Sequence, residues 1–214
     1  EDVQLMRRAL EEVHPGLYRY SDKKTIDAAF DAFEKKAAEF ETVETFYMEM
    51  EKFLTTFQCV HTLINEPLSN YKEAPVLPFT FFVFEGEMFI ERHFAEKPLP
   101  HGSKVLSIDG VPVKEITDYF LTVIENDGIN PDEVKYRRMG DLWFWDRAYA
   151  IHFDLGEQVE LEILHAETGE TVKLTQNTLS KAERKTMHEE IYGKWSTPDD
   201  KWETAFYEEK SAAY

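Results

Sequence analysis

The chain has 214 residues, of which 43% are hydrophobic and 14% aromatic, a composition that builds a folded core rather than a disordered tail. Forty-two acidic residues against 24 Lys and Arg give a formal net charge of -18, which repels phosphate backbones and argues against a nucleic-acid partner. No stretch approaches the roughly 20 apolar residues of a membrane span, and a single cysteine, Cys59, excludes an intramolecular disulfide.

The first third carries a helical period. Over 2–13, Val3, Met6, Leu10 and Val13 share one face, and Pro15-Gly16 ends the run. Ile26, Phe30, Phe33, Ala37 and Phe40 form a second stripe. Val43, Phe46, Tyr47, Met50, Phe53, Leu54 and Phe57 form a third, with Thr42 as its N-cap. Three such helices over 1–66 must pack on one another or on a neighbour, with the aromatic stripe as core.

After Pro67 the pattern changes. Segments 79–84 and 88–90 flank Glu85-Gly86-Glu87 as a hairpin, and 102–113 predicts two short strands around an Asp109-Gly110 turn. A short helix is expected over 116–124, closed by Asn126-Asp127-Gly128. Residues 130–149 read as a loop rich in charge and aromatics, in which Trp143-Phe144-Trp145 forms either a contact surface or packing against a neighbouring domain. Strands follow over 158–165 and 171–175. Short strands around one helix predict a compact half-barrel over 67–180, and with the helices they give an α+β fold: a three-helix segment followed by a small β-rich domain.

Ser180-Lys181-Ala182-Glu183 has the capping-box form and opens a helix to about Tyr192. Residues 196–200 read as a linker, and 202–214 as a strand, a turn and the start of another strand, so 181–214 form a third segment. A pattern that stops inside a strand predicts a longer parent protein, and an opening at Glu1 fits a removed leader.

His61 is the candidate catalytic residue, set in a short apolar stretch after the third helix where a neutral imidazole is available for proton transfer. The competing reading is a hydrogen-bonded structural histidine. The histidines form no His-x-x-x-His pair and no HExxH motif, and with one cysteine neither a metal site nor a cofactor is expected. No serine stands in Gly-x-Ser-x-Gly, and no glycine-rich phosphate loop is present. Cys59 lies two residues from His61 on a segment read as extended, with no evident acid to orient the pair, so it reads as a buried structural thiol.

The stretches His14-Pro15-Gly16-Leu17-Tyr18, Gln58-Cys59-Val60-His61-Thr62 and 102–113 together resemble peptidase family S41, the tail-specific and tricorn-like serine peptidases. Many bacterial members carry a His-Pro-x-Leu-Tyr-like stretch in an N-terminal helical segment, and their third helix leads into Gly-Asp-Gly-His-Thr. Residues 58–62 are similar to that motif, keeping His-Thr and losing both glycines. The resemblance covers nearly the whole chain. It implies a helical cap over 1–66 and a PDZ-like domain over 67–180 that takes an extended polypeptide substrate or a peptide C-terminus by strand addition. It further implies that 181–214 lead into a catalytic domain holding the nucleophilic serine, with His61 as the base of that serine.

On this resemblance the parent is an exported bacterial enzyme, periplasmic, secreted or anchored at the outer surface, and this chain alone is inactive because the serine is absent. The segment between Asn126 and His152 exceeds a minimal PDZ-like domain and is expected to alter or cover the binding groove. The alternative at this point is a stand-alone module that binds a peptide or protein without catalysis.

Overall fold

The computed structural model describes residues 1–64 and 73–193. Three helices come first, α1 (Asp2–Val13), α2 (Lys23–Ala37) and α3 (Val43–Thr55). The Asp22 side chain caps α2 by accepting the Thr25 N–H at 2.7 Å, and Thr42 caps α3 by accepting the Thr45 N–H at 3.1 Å. Their apolar stripes face each other. Ile26, Phe30 and Phe33 of α2 meet Met50, Phe53 and Leu54 of α3, and Leu17 and Phe57 close the cluster. Phe53 sits between Phe30 and Phe33 at ring-centroid distances of 5.0 and 4.7 Å. On α1, Val3, Met6 and Leu10 cover this cluster, and Arg7 reaches Asp27 and Asp31 of α2 at 2.6 and 2.8 Å.

A six-stranded antiparallel sheet follows, made of β1 (Phe79–Phe84), β2 (Glu87–His93), β3 (Lys104–Ile108), β4 (Val111–Pro112), β5 (Gln158–Leu164) and β6 (Thr171–Asn177). The order is β1-β2-β3-β5-β6 with the two-residue β4 paired to β3 off this path, so among the described residues β1 and β6 are the outer strands of the path. Helices beside an antiparallel sheet make the fold α+β, as expected. Ile108 pairs with Val111 across the expected turn at Asp109 and Gly110, whose φ values of +48 and +77° are those of a type I′ hairpin. α4 (Val113–Phe120) packs on β2 and β3, and its Thr117 hydroxyl donates to the Gly86 carbonyl of the first hairpin at 2.9 Å. It ends four residues before the helix read from the sequence, and turns carry the chain on to Ile124.

The segment read as a loop over 130–149 is instead two helices, α5 (Asp132–Met139) and α6 (Leu142–His152). Neither displays a one-sided stripe. Only Met139 of α5 is buried, whereas α6 buries every residue from Phe144 to Tyr149 and is apolar and polar on all sides. Within the aromatic triplet, Phe144 and Trp145 pack in the sheet core against Phe120, and Trp143 stays exposed beneath the Arg147 guanidinium. α5 lies against β1, and the Gly140 backbone that follows meets the Phe82 backbone, so part of this outer strand is covered.

α7 (Lys181–Tyr192) opens with the predicted capping box: the Ser180 hydroxyl accepts the Glu183 N–H at 3.1 Å and the Glu183 carboxylate accepts the Ser180 N–H at 2.8 Å. Arg184 of α7 grips both carboxylate oxygens of Asp146 on α6, which docks α7 on the sheet unit. The linker and strands expected over 196–214 lie outside the described residues. No described helix is long and apolar enough to cross a membrane.

A buried polar network joins the helices to the sheet unit. Glu51 of α3 accepts from Tyr47 at 2.9 Å, from Arg147 of α6 at 3.1 Å and from His152 at 3.0 Å, and the far side of the His152 ring meets the Tyr119 hydroxyl at 2.9 Å. Burial raises the Tyr119 pKa, so the phenol keeps its proton and remains able to donate.

Candidate functional site

The second joint between the two units is the loop after α3. At Gln58 the backbone turns into the left-handed region, φ +51°. The next residues do not run extended: the Thr62 N–H closes a turn on the Cys59 carbonyl at 3.0 Å. This turn is clamped to the loop after α4 by two bonds. The Gly128 N–H donates to the Gln58 carbonyl at 2.8 Å, and the Val60 N–H donates to Asp127 Oδ1 at 2.8 Å. Asn126 and Asn130 stiffen the partner loop by donating to the carbonyls of Gly128 and Asp127, each at 2.7 Å. Gly128 itself has φ +68° and lies against Tyr20, where an added Cβ would come to 3.0 Å from the ring, so a side chain there strains the backbone and must displace Tyr20.

His14 stands at the C-cap of α1, where its N–H donates to the Leu10 carbonyl. Its Nδ1 accepts the Gly16 N–H at 3.1 Å, which leaves the proton on Nε2 to be donated to the Thr62 hydroxyl at 2.7 Å. The His-Pro-Gly-Leu-Tyr stretch and the Cys-Val-His-Thr stretch therefore meet directly. Leu17, buried in the helical core, anchors the first of them.

Between these segments lies a cleft of ≈470 Å³ whose lining includes His14, Arg19, Tyr20, Cys59, His61 and Asp127. His61 and Asp127 are exposed and Cys59 is half-buried; the Cys59 Sγ, a His61 ring nitrogen and an Asp127 carboxylate oxygen all lie within 4.8 Å of one another. Cys59 is therefore not a fully buried thiol. The acid missing from the local sequence arrives from the loop after α4, 67 residues beyond Val60, which it holds. Among the described residues no serine lines the cleft.

No family model and no curated protein matches this chain.

A thiol, an imidazole and a carboxylate within reach of one another support two kinds of chemistry, proton transfer at His61 and coordination of a cation. Sequence reasoning singled out His61, and did not bring Asp127 to it. The one local signal was the Asn126-Asp127-Gly128 cluster, whose turn-forming chemistry accounts for it fully when it is taken alone.

Proposed function

We propose that this chain is the N-terminal part of a serine peptidase similar to the S41 enzymes. In this reading His61 takes the proton of a serine carried by a catalytic domain of the same protein, and the sheet unit positions the polypeptide substrate. The backbone at Gln58 is the observation that supports it most. The related motif opens with glycine, and Gln58 holds φ +51°, a conformation free to glycine and costly to glutamine. A left-handed residue at the position where the related motif carries glycine supports descent from that motif.

The direct bond from His14 to Thr62 adds to this, because the two motifs that carry the resemblance share one cleft. His61 stands exposed at its rim, open to an incoming hydroxyl. Since α5 covers part of β1, an extended peptide would meet the PDZ-like unit at β6, the other outer strand. The parent would be an exported bacterial protein.

In the full native reading frame, His61→Ala is expected to lower kcat for peptide hydrolysis by on the order of 10²–10⁴-fold with the far-ultraviolet circular dichroism unchanged. Hydrolysis at the native rate in that variant removes His61 from the mechanism. A native reading frame without a serine-bearing domain removes the peptidase reading and leaves peptide binding as the role of the chain.

A further inference from the structure

We infer that Cys59, His61 and Asp127 form a binding site for a thiophilic divalent cation of the zinc class. The three donor types are those of open zinc sites, in which three protein ligands leave a fourth position for water. Sulfur and imidazole together select against magnesium and calcium, which take oxygen ligands.

The geometry is close to what such an ion requires. Metal–ligand bonds of about 2.0–2.3 Å place tetrahedral ligand atoms roughly 3.3–3.6 Å apart. The three donors lie within 4.8 Å of one another, so side-chain rotations of about 1 Å close the site. Both backbone segments that supply the ligands are already fixed. The Val60 N–H holds one oxygen of Asp127 and leaves the other for a metal, an outer-shell contact of the kind that orients ligating carboxylates. The bond from Gly128 to Gln58 sets the spacing of the two loops without any ligand. His14, engaged through both ring nitrogens, is not a fourth ligand.

Metal binding does not rest on the peptidase reading. Where both hold, the ion occupies the imidazole lone pair that the base needs, and the site is inhibitory.

Titration of the 214-residue chain with Co²⁺ tests the site without any substrate, so its outcome is distinct from that of the hydrolysis experiment. The expected result is one ion per chain, with the visible bands of a tetrahedral ion and a near-ultraviolet thiolate-to-cobalt band, both lost on adding Zn²⁺. Cys59→Ser should abolish the thiolate band, and His61→Ala and Asp127→Asn should each weaken binding tenfold or more. Binding without a thiolate band would mark adventitious capture by the acidic surface of the chain and overturn the proposal. A thiolate band of unchanged affinity in His61→Ala or Asp127→Asn overturns it equally. As a check that needs no variant, Zn²⁺ should slow alkylation of Cys59 at least tenfold, and equal rates with and without Zn²⁺ refute the site.

Discussion

At the scale of single residues, Gln58 is the most informative position in the chain. A left-handed backbone costs a non-glycine residue about 1–2 kcal/mol. The Gln58 Oε1 is also buried without a hydrogen-bond partner, a further penalty of about 1 kcal/mol or more. Glycine removes both costs and returns about 0.5–1 kcal/mol as extra freedom of the unfolded chain. Gln58→Gly should therefore stabilise the protein by about 1 kcal/mol, read as a higher urea midpoint at unchanged slope. A lower midpoint would show that the glutamine side chain contributes packing that outweighs its strain. The same residue shows what the sequence leaves hidden. His61 is legible because it sits in a short apolar motif, but a positive φ at a glutamine has no sequence signature. The approach of Asp127 is equally invisible, since loop-to-loop contacts across 67 positions leave no periodicity to read.

Elements were legible in proportion to how one-sided they are. α2 and α3 bury one stripe each, and both were expected at nearly their observed positions. The hairpins announced themselves through Glu85-Gly86 and Asp109-Gly110, and α7 through its capping box. α6 fails this test because it is enclosed on every side, and it is enclosed because it carries the polar half of the joint with α3. Arg147 and Glu51 are each 5% exposed, so neither charge has water to fall back on. Glu51→Gln removes the carboxylate charge that faces the buried Arg147 guanidinium, whose contacts also include the Tyr47 hydroxyl at 2.8 Å and Glu125 at 4.0 Å. Such a change is expected to cost about 3–5 kcal/mol in urea unfolding. The double variant Glu51→Gln with Arg147→Met should recover part of that loss, since no buried cation remains. A single-variant loss below about 1 kcal/mol would mean that the network does not hold the two units together.

For the whole molecule, the sheet unit is held closed by two histidines that are neutral when folded, and this sets a pH dependence. His93 on β2 accepts the Leu99 N–H at Nδ1 and meets Gln176 of β6 through Nε2, both at 2.8 Å, so a second proton on the ring breaks the first bond. His188 on α7 accepts from the Arg92 guanidinium, and protonation there sets two cations face to face. Burial lowers the pKa of both rings from the ordinary 6.5; Gln176 opposes the shift at His93, while Arg92 reinforces it at His188 against a smaller pull from Glu91 and Glu189. A base whose folded pKa lies below its unfolded value binds more protons when unfolded. Its contribution is therefore complete above about 6.5 and is lost as pH falls from there toward the folded value. For His93 the slope is at most roughly 1.4 kcal/mol per pH unit in that window. His188 adds to the loss in the same sense. Urea unfolding at about pH 7.5 and about pH 5.5 should show the native chain losing stability on acidification. His93→Gln should lower stability at the higher pH by removing the bond to Leu99 and should flatten the dependence between the two values. An equally steep dependence in His93→Gln and His188→Gln would place its origin outside the sheet unit.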